Sequence, residues 1–488
     1  MIKMKRLSVS FLLCMLLVSS GAQEKRPNVL FIAVDDLRPE LNCYGKTQII
    51  SPNIDRIAAE GIVFTRAYCQ VALCGPSRLS LMTGMHPDRL GNYGMSSTNR
   101  IEWREHRPGI TSLPEQFRSR GYYAIGFGKI YDNRLGLDIG YSWDQFTEGW
   151  KGKYISPRAK EILADAQAAI DSGLEPDIIR PAVDYYDTPD ETYTDGSNAS
   201  LAINFIHNYH GDAPYFLAVG FSKPHLPFVA PLKYWEMYDR DSISLPGFDT
   251  PPEGITEYTL SPYKEIESYI NKRIIDEEKI LELRHGYFAC VSYVDAQIGK
   301  ILRALEDKGE LDNTIIFFWG DHGFKLGDFG EWAKATNLEA DARVPLMIRL
   351  PGLSGAGTRV ETPVELVDVL PTLCGAGKVG IPDGVEGKNL LSILCRPERT
   401  FRDFALTQYR RSSTSMGYSI RTDEWRYTEW INPNTGETND QELYRIDNAS
   451  LMETRNVEND FPEEVERLSG MLHDYLLTAK KYEGEIIP

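Results

Sequence analysis

The chain has 488 residues, of which 42% are hydrophobic and 25% are charged, a composition typical of a globular protein large enough to bury an extensive core. Its 70 acidic and 53 basic side chains give a formal net charge of −17, which argues against nucleic acid as a partner. An anionic substrate is not excluded, because a pocket can be locally basic within an acidic protein.

The first 22 residues have the pattern of a secretory signal peptide. The basic start M-I-K-M-K-R is followed by an apolar run over residues 7–18 and by small residues that end at Ala22. The apolar run is shorter than a membrane-spanning helix needs, and no later segment is long and apolar enough to span a bilayer. We therefore expect cleavage after Ala22, no transmembrane segment and a periplasmic or secreted protein. In such a compartment, Cys374 and Cys395 could form a disulfide bond.

Apolar runs that end in polar residues recur along the chain, separated by helical patterns. The strand predictions cover residues 27–34, 121–127, 214–221, 314–319 and 344–350, and the helix predictions cover residues 52–60, 112–120, 196–209, 277–305 and 365–374. Strands that alternate with helices indicate a large, doubly wound, mostly parallel α/β sheet flanked by helices. Ligands of such sheets bind beyond the carboxyl ends of the strands, so the polar residues there are site candidates.

The pattern of long apolar runs alternating with helical segments ends near residue 376. Short runs rich in β-branched and aromatic residues over 404–409, 417–421, 425–431 and 442–446 predict a small antiparallel sheet, closed by a helix over 462–480. We therefore divide the chain into a signal peptide at 1–22, a large α/β domain at 23–375 and a smaller C-terminal α+β subdomain at 376–488. The polar stretches 151–194 and 247–268 are predicted insertions over the pocket mouth, where substrate-selecting loops are common.

Acidic residues follow two of the predicted strands. Asp35 and Asp36 follow the first strand, and Asp321 with His322 follows the strand at 314–319. Asp35 and Asp36 alone are compatible with a solvated turn, an acid/base pair or a cation site. Three carboxylates at adjacent strand ends would repel one another unless a cation lay between them, and oxygen ligands favour Ca²⁺ or Mg²⁺ over zinc.

The stretch C-G-P-S-R-L-S-L-M-T-G at residues 74–84 predicts a loop that turns into a helix near Cys74. Pro76 suits a first helical turn, because its fixed φ is already helical and its missing N–H has no partner there. Free backbone N–H groups, the helix dipole and the Arg78 guanidinium would then converge beside Cys74, which suits sulfate or phosphate. For this motif alone, a buried structural cysteine is the competing interpretation.

Two lysines and a histidine complete the candidate set. Lys129 in G-K-I-Y and Lys334 in G-E-W-A-K lie downstream of predicted strand ends, where they are either solvated surface charges or ligands of an oxyanion. His225 in K-P-H-L-P-F is either a hydrogen-bonded structural histidine or a general acid for a leaving alkoxide.

Taken together, these motifs resemble those of the type I sulfatases, which have an alkaline-phosphatase-like fold. The segments D-D-L-R-P, C-Y-G, S-P-N-I-D, G-E-W-A-K and G-Y-S-I-R-T place the likeness in the iduronate-2-sulfatase branch of that family. The likeness covers nearly the whole chain after the predicted signal peptide. It implies a sulfuric ester hydrolase that acts, from chain ends, on a sulfated, uronate-containing oligosaccharide or polysaccharide.

The resemblance also implies the chemistry of the site. A formylglycine-generating enzyme would convert Cys74 to formylglycine, whose hydrated aldehyde is the nucleophile toward sulfur. The implied ligands of a Ca²⁺ ion are Asp35, Asp36, Cys74, Asp321 and His322. The other implied catalytic residues are Arg78, which balances the charge of the hydrate, Lys129 and Lys334, which bind sulfate oxygens, and His225, which protonates the leaving sugar oxygen.

One position departs from the pattern of this branch. Where the pattern has a histidine three residues after the G-K lysine, this chain has Asp132. That histidine is thought to take the proton from the formylglycine hydrate, so Asp132 is either a substitute base or a sign of slow turnover, unless another histidine reaches the site.

Three other functions are compatible with the sequence. The first is a sulfatase for an algal sulfated polysaccharide, and the second is a non-catalytic glycan-binding homologue, which Asp132 makes conceivable. The third is a phosphatase or phosphodiesterase on the same fold, although it would call for a Ser/Thr nucleophile and a histidine-rich two-metal site.

Overall fold

The computed structural model describes residues 25–95, 104–105, 109–132, 138–147, 154–353, 355–394, 400–447 and 450–483. The predicted signal peptide lies outside the described residues, and so does Cys395, one partner of the possible disulfide bond. Within them, the helices longer than one turn are α1 (Pro52–Glu60), α2 (Cys74–Thr83), α3 (Leu113–Ser119), α4 (Pro157–Asp171), α5 (Thr194–Asn208), α6 (Glu277–Asp307), α7 (Val369–Ala376) and α8 (Pro462–Glu483). Single helical turns cover Pro87–Leu90, Leu232–Trp235, Glu339–Ala342 and Leu391–Leu394.

Strands form a large sheet, a small C-terminal sheet and a short pair. In chain order they are β1 (Asn28–Val34), β2 (Ile62–Tyr68), β3 (Tyr123–Gly128), β4 (Gln145–Thr147), β5 (Val183–Tyr186), β6 (Tyr215–Phe221), β7 (Phe228–Pro231), β8 (Thr314–Gly320), β9 (Arg343–Arg349), β10 (Thr358–Val360), β11 (Val364–Glu365), β12 (Ala405–Ser412), β13 (Ser415–Arg421), β14 (Trp425–Ile431) and β15 (Thr438–Arg445). The large sheet has the order β10-β2-β9-β8-β1-β6-β3-β4, with β11 also paired to β2, and β5 pairs with β7.

The central strands of the large sheet are parallel, as the sequence predicts. β1 pairs in parallel with β6 and β8, and β6 pairs in parallel with β3. The strand predicted at 344–350 is present as β9, but it runs antiparallel to both of its neighbours, β2 and β8. The carboxyl ends of β8, β1, β6 and β3 therefore lie side by side at one edge of the sheet.

The structure adds to the sequence-based description at three places. The sequence does not predict β2, because Thr65 and Arg66 interrupt its apolar run. The stretch 151–194 contains the helix α4 and the strand β5, and its place as an insertion over the pocket mouth stays a prediction. The helix predicted at 365–374 is a 3-10 turn at Leu366–Asp368 followed by α7.

Both faces of the large sheet are buried. In β1, Leu30 and Ile32 face a hydrophobic cluster that also includes residues of α1, α5 and α6, whereas Val29 and Phe31 face a second cluster built with residues of α2, α3 and α7. This alternation is the two-residue period of a strand that is covered on both sides.

The C-terminal sheet is antiparallel, with the order β12-β13-β14-β15, and α8 packs against it. Leu468 and Leu472 of α8 cluster with Leu406, Ile420 and Tyr427 of the sheet. The predicted small sheet with a terminal helix is thus confirmed, while the domain boundary at residues 375/376 stays a prediction. Among the described helices, none combines the length and the apolar character that crossing a bilayer requires.

Candidate active site

The parallel pairing of β1 with β8 brings the acidic strand ends together. Val34 lies opposite Gly320 in the register, so Asp35 and Asp36 leave the sheet beside Asp321 and His322. The backbone N–H groups of Asp36 and His322 both donate to Asp321 Oδ1, at 3.1 and 3.0 Å. Asp36 has a φ of +57°, a left-handed conformation that aspartate tolerates better than most residues.

Cys74 is the first residue of α2, and every residue of this helix is buried. Its Sγ lies 3.2 Å from His322 Nε2. Burial, reinforced by the negative charge of Asp35, raises the pKa of the Cys74 thiol well above its ordinary value. The side chain of an unmodified Cys74 is therefore a neutral thiol, which is a weak nucleophile.

Arg78 lies one turn into α2 and links several parts of the site. Its Nε donates to Asp321 Oδ2 at 2.8 Å, and its Nη2 donates to Asp35 Oδ1 at 3.3 Å. Its Nη1 donates to the carbonyl oxygens of Lys129 and Ile130 in the loop after β3. The guanidinium is fully buried and keeps its charge, because the two carboxylates raise its pKa against the effect of burial.

Both candidate lysines form ion pairs with the aspartates that follow β1. Lys129 Nζ lies 2.5 Å from Asp35 Oδ2, and Lys334 Nζ lies 2.7 Å from Asp36 Oδ1. Burial alone would raise the pKa of Asp35, but Lys129 and the neighbouring cations hold it well below its ordinary value. Burial raises the pKa of Asp36 to about 7, although Lys334 acts in the opposite direction.

Four side chains have the geometry of a cation site. Donor atoms of Asp35, Asp36, Cys74 and His322 all lie within 4.8 Å of one another. Asp36 Oδ2 is buried and accepts no hydrogen bond from the described residues, so it can serve as a ligand. Asp321 adjoins this group, but its oxygens already accept hydrogen bonds from Arg78 and from backbone N–H groups. Two carboxylates, an imidazole and the side chain of residue 74 are donors that can hold a divalent cation.

His225 lies in the loop after β6, between two cis X-Pro peptide bonds. Asp195 in the first turn of α5 anchors this loop, because its carboxylate accepts hydrogen bonds from the backbone N–H groups of Ser222 and Lys223, at 2.9 and 2.8 Å. His225 Nε2 lies 3.9 Å from Asp36 Oδ2. Burial and the Lys334 ammonium lower the pKa of His225 to about 4.

A further charged residue that the sequence does not single out lies beside His225 and Lys334. Glu265 begins the 3-10 turn Glu265–Ser268, and its carboxylate lies between His225 and Lys334. It belongs to the stretch 247–268, which the sequence predicts as an insertion over the pocket mouth. That position is its only signal, because no motif or spacing sets it apart from other glutamates.

All the predicted site residues except Asp132 thus converge around Cys74 and the two strand ends. Asp132 is buried at the side of this group, with its Oδ2 3.9 Å from Lys129 Nζ. Asp132 therefore lies beside Lys129, and its role as the base that deprotonates the formylglycine hydrate stays a prediction.

Comparison with known proteins supplies the family. Residues 27–379 match the family model described as Sulfatase, which is more than half of the chain. The chain belongs to the sulfatase family. Residues 327–481 of this sulfatase match a second model, described as N-sulphoglucosamine sulphohydrolase, C-terminal.

Relatives of this sulfatase cover most of its length. Human (Homo sapiens) iduronate 2-sulfatase is 31% identical over 515 residues, which cover 89% of this chain and 91% of the relative. A sulfatase of Formosa agariphila is 32% identical over 439 residues, which cover 87% of this chain and 81% of the relative. The predictions of a type I sulfatase and of a sulfuric ester hydrolase are confirmed, and the phosphatase alternative is set aside.

Solved structures share the fold at lower identity. One is described as a complex with its substrate D-glucosamine-2-N,6-O-disulfate; it has a TM-score of 0.73 and 23% identity, and covers 95% of this chain and 99% of that chain. A phosphonate monoester hydrolase of Agrobacterium radiobacter has a TM-score of 0.71 and 24% identity, and the alignment covers 93% of this chain and 96% of that chain. These likenesses show the alkaline-phosphatase-like fold, which sulfatases share with a phosphonate hydrolase.

Proposed function

We propose that this sulfatase hydrolyses sulfate monoesters of a uronate-containing glycosaminoglycan, from chain ends, with formylglycine formed from Cys74 as its nucleophile. The observation that carries the proposal is the environment of Cys74. Its Sγ shares a space 4.8 Å across with two carboxylates and an imidazole, whereas Cys290 and Cys374 lie in the hydrophobic clusters of the core. A cysteine kept for packing has apolar neighbours, so the charged surroundings of Cys74 favour a chemical role.

The proposed reaction requires a modified residue, formylglycine, and a bound metal ion. Formylglycine at position 74 would supply, as its hydrate, one hydroxyl that attacks sulfur and a second whose deprotonation releases sulfate. A Ca²⁺ ion held by Asp35, Asp36, His322 and position 74, with Asp321 beside it, would act as a Lewis acid toward the hydrate and the sulfate oxygens.

The cations of the site would bind the sulfate group. Arg78 stays between Asp35 and Asp321, where it fixes the carboxylates and offsets their charge. Lys129 and Lys334 have flexible side chains, and a divalent ion bound to Asp35 and Asp36 would weaken the attraction of these carboxylates for the two ammonium groups. Both ammonium groups would then be available to sulfate oxygens, where negative charge develops in the transition state.

His225 would protonate the leaving sugar oxygen from Nε2. Its Nδ1 lies 2.6 Å from the carbonyl oxygen of Leu226, which can only accept a hydrogen bond, so Nδ1 carries a proton in that contact. Nε2 faces the site, and because the pKa of His225 is lowered and Nδ1 holds the proton of the neutral ring, Nε2 carries a proton only in the imidazolium form; His225 would protonate the leaving oxygen from that form.

The substrate class is proposed from the named relatives. Iduronate 2-sulfatase is similar over nearly the full length, and a fold neighbour is described with a sulfated glucosamine bound. An exported protein would meet such glycans outside the cytoplasm, after a formylglycine-generating enzyme had acted on Cys74. On these grounds, we take the substrate of this sulfatase to be a sulfated, uronate-containing glycan.

Mass spectrometry of the peptide around Cys74, combined with a screen for sulfate release, tests the proposal. We expect formylglycine at position 74 when the protein is made with the maturation enzyme, and sulfate release from heparan- or dermatan-type oligosaccharides measured by ion chromatography. Algal sulfated polysaccharides in the same panel test the alternative substrate. A Cys74→Ala variant is the control and should be inactive, and full activity with an unmodified thiol would contradict the mechanism.

A further inference from the structure

Glu265 contacts His225, the proposed proton donor, and Lys334, a proposed ligand of sulfate. Its Oε1 lies 3.3 Å from His225 Nε2, and its Oε2 lies 3.4 Å from Lys334 Nζ. The residue is 6% exposed, so the carboxylate is withdrawn from solvent although it comes from a surface segment. A buried carboxylate with one oxygen toward an ammonium and the other toward an imidazole nitrogen can hold both in fixed relative positions, the imidazole once Nε2 is protonated.

The backbone holds the Glu265 turn from two directions. The N–H group of Ile266 donates to the carbonyl oxygen of Trp332 at 3.3 Å, which attaches the turn to the G-E-W-A-K segment that carries Lys334. Arg180 donates from Nε to the carbonyl oxygen of Ser268 and from Nη2 to its Oγ, at 2.9 and 2.8 Å. Glu265 therefore reaches the site from a supported position, as a group that orients others must.

The direction of the His225 ring depends on what faces each nitrogen. The carbonyl oxygen of Leu226 faces Nδ1, and the Glu265 carboxylate faces Nε2. Of these two contacts, the one to Glu265 comes from a different segment of the chain and can be removed without changing the loop that carries His225.

We propose that Glu265 is a positioning residue that, anchored to Lys334 Nζ, holds His225 Nε2 toward the oxygen of the leaving sugar. This inference rests on the proposed function, because it takes His225 as the proton donor. It follows that Glu265 matters for alkoxide leaving groups, which need a proton, and much less for phenolates, which leave without one.

A comparison of two substrates on one variant tests this inference. Glu265→Gln keeps the size of the side chain but offers only one acceptor oxygen, so it cannot accept hydrogen bonds from both Lys334 Nζ and a protonated His225 Nε2. With protein that carries formylglycine, we expect kcat for a sulfated disaccharide to fall about 10- to 100-fold, because a general acid contributes about 100-fold or more. We expect kcat for 4-nitrophenyl sulfate to change less than about threefold, and KM for the disaccharide to change little.

The matched control is Glu267→Gln, which removes the same charge from an exposed position two residues along the same turn. It should leave both substrates unaffected, and thermal unfolding midpoints should show that both variants fold. Equal losses on both substrates, or no loss on the disaccharide, would overturn the role of Glu265. Wild-type protein that carries formylglycine and cleaves neither substrate would instead overturn the proposed function, and with it this inference.

Discussion

Arg78 joins the helix of the candidate nucleophile to three strand ends through one guanidinium. Its partners are the carboxylates after β1 and β8 and two carbonyl oxygens after β3. A planar group with five donors suits this arrangement, whereas a lysine offers one charged nitrogen. Arg78 therefore fixes the relative positions of these groups in addition to offsetting their negative charge.

We predict that Arg78→Lys lowers both stability and activity, although it keeps the positive charge. The ammonium cannot reach Asp35, Asp321 and both carbonyl oxygens at once, so buried acceptors lose their partners. The free energy of unfolding should fall by about 2 kcal/mol or more, and kcat should fall at least about tenfold, because the carboxylates lose their fixed positions. Urea denaturation and sulfate release measure the two effects. Arg303→Lys, on the exposed side of α6, is the control and should change neither.

Asp132 gives a second prediction at the scale of one residue. Asn has the same shape as Asp but cannot accept a proton, so Asp132→Asn separates base chemistry from packing. We expect it to lower the rate of sulfate release more than substrate binding, by about 10- to 100-fold in kcat with KM nearly unchanged. An unchanged turnover number would remove Asp132 from the mechanism and leave it as the partner of Lys129, 3.9 Å away.

At the scale of elements, the segment after Lys334 depends on the C-terminal sheet. Ala335 has a φ of +83°, a conformation that costs a residue with a Cβ about 1–2 kcal/mol. Arg411 of β12 donates to the carbonyl oxygen of Ala335 at 3.3 Å, and Asn337 Nδ2 donates to the carbonyl oxygen of Gly417 in β13 at 3.1 Å. These contacts from the small sheet hold a strained segment that places a lysine in the site of the large sheet.

Two alanine-to-glycine substitutions in this segment should therefore differ in their effect on stability. Ala333 and Ala335 are both buried, but only Ala335 has a positive φ. Each substitution loses one buried methyl group and gains unfolded-state entropy, which together cost about 1–2 kcal/mol. At Ala335, relief of the strained backbone offsets this cost, so we expect Ala335→Gly to be nearly neutral and Ala333→Gly to destabilise by about 1–2 kcal/mol. Equal losses of unfolding free energy in urea would show that Ala335 stores no strain.

The elements that the sequence predicts best are those that repeat one pattern. β1 and β8 are uninterrupted apolar runs that end at aspartates, and α2 begins at the predicted cysteine, so the sequence alone suffices to place the strand ends and Arg78. It does not suffice for Glu265, whose place in the site depends on how a long irregular segment folds back over the sheet. The sequence also does not predict that β9 is antiparallel, because an apolar run indicates a buried strand but not its direction in the sheet.

At the scale of the whole molecule, buried ion pairs join the two sheets. Glu339, just before β9, accepts hydrogen bonds from Arg421 of β13 and Arg426 of β14, and Arg426 also pairs with Glu453 at 2.7 Å. Burial alone would raise the pKa of Glu339, but the two guanidinium groups hold it at about 2. Removing one member of such a buried network leaves an uncompensated charge, so the C-terminal part is coupled to the main sheet.

A second junction of this kind makes stability depend on pH. His86, just after α2, lies 3.4 Å from Glu365 of β11 and 3.4 Å from Glu386, and its ring meets that of Tyr475 in α8. Burial alone would lower the pKa of His86, but the two neighbouring carboxylates raise it to about 10. The imidazolium is thus a shared partner of the main sheet, the segment before β12 and the last helix.

The sign of the effect follows from this raised pKa. The ordinary pKa of an unfolded histidine is about 6.5, so the folded state binds the extra proton between about pH 6.5 and 10. The stabilisation is complete below about pH 6.5 and is lost as the pH rises through about 10, at up to about 1.4 kcal/mol per pH unit. We predict that His86→Gln lowers the unfolding free energy at about pH 7 and flattens its decline between about pH 7 and 10, as measured by urea denaturation at several pH values.

His207→Gln, at an exposed position of α5, is the control and should follow the wild-type curve. Parallel curves for wild type and His86→Gln would show that His86 is uncharged in the folded protein, and that its carboxylate neighbours are balanced by other cations such as Arg402.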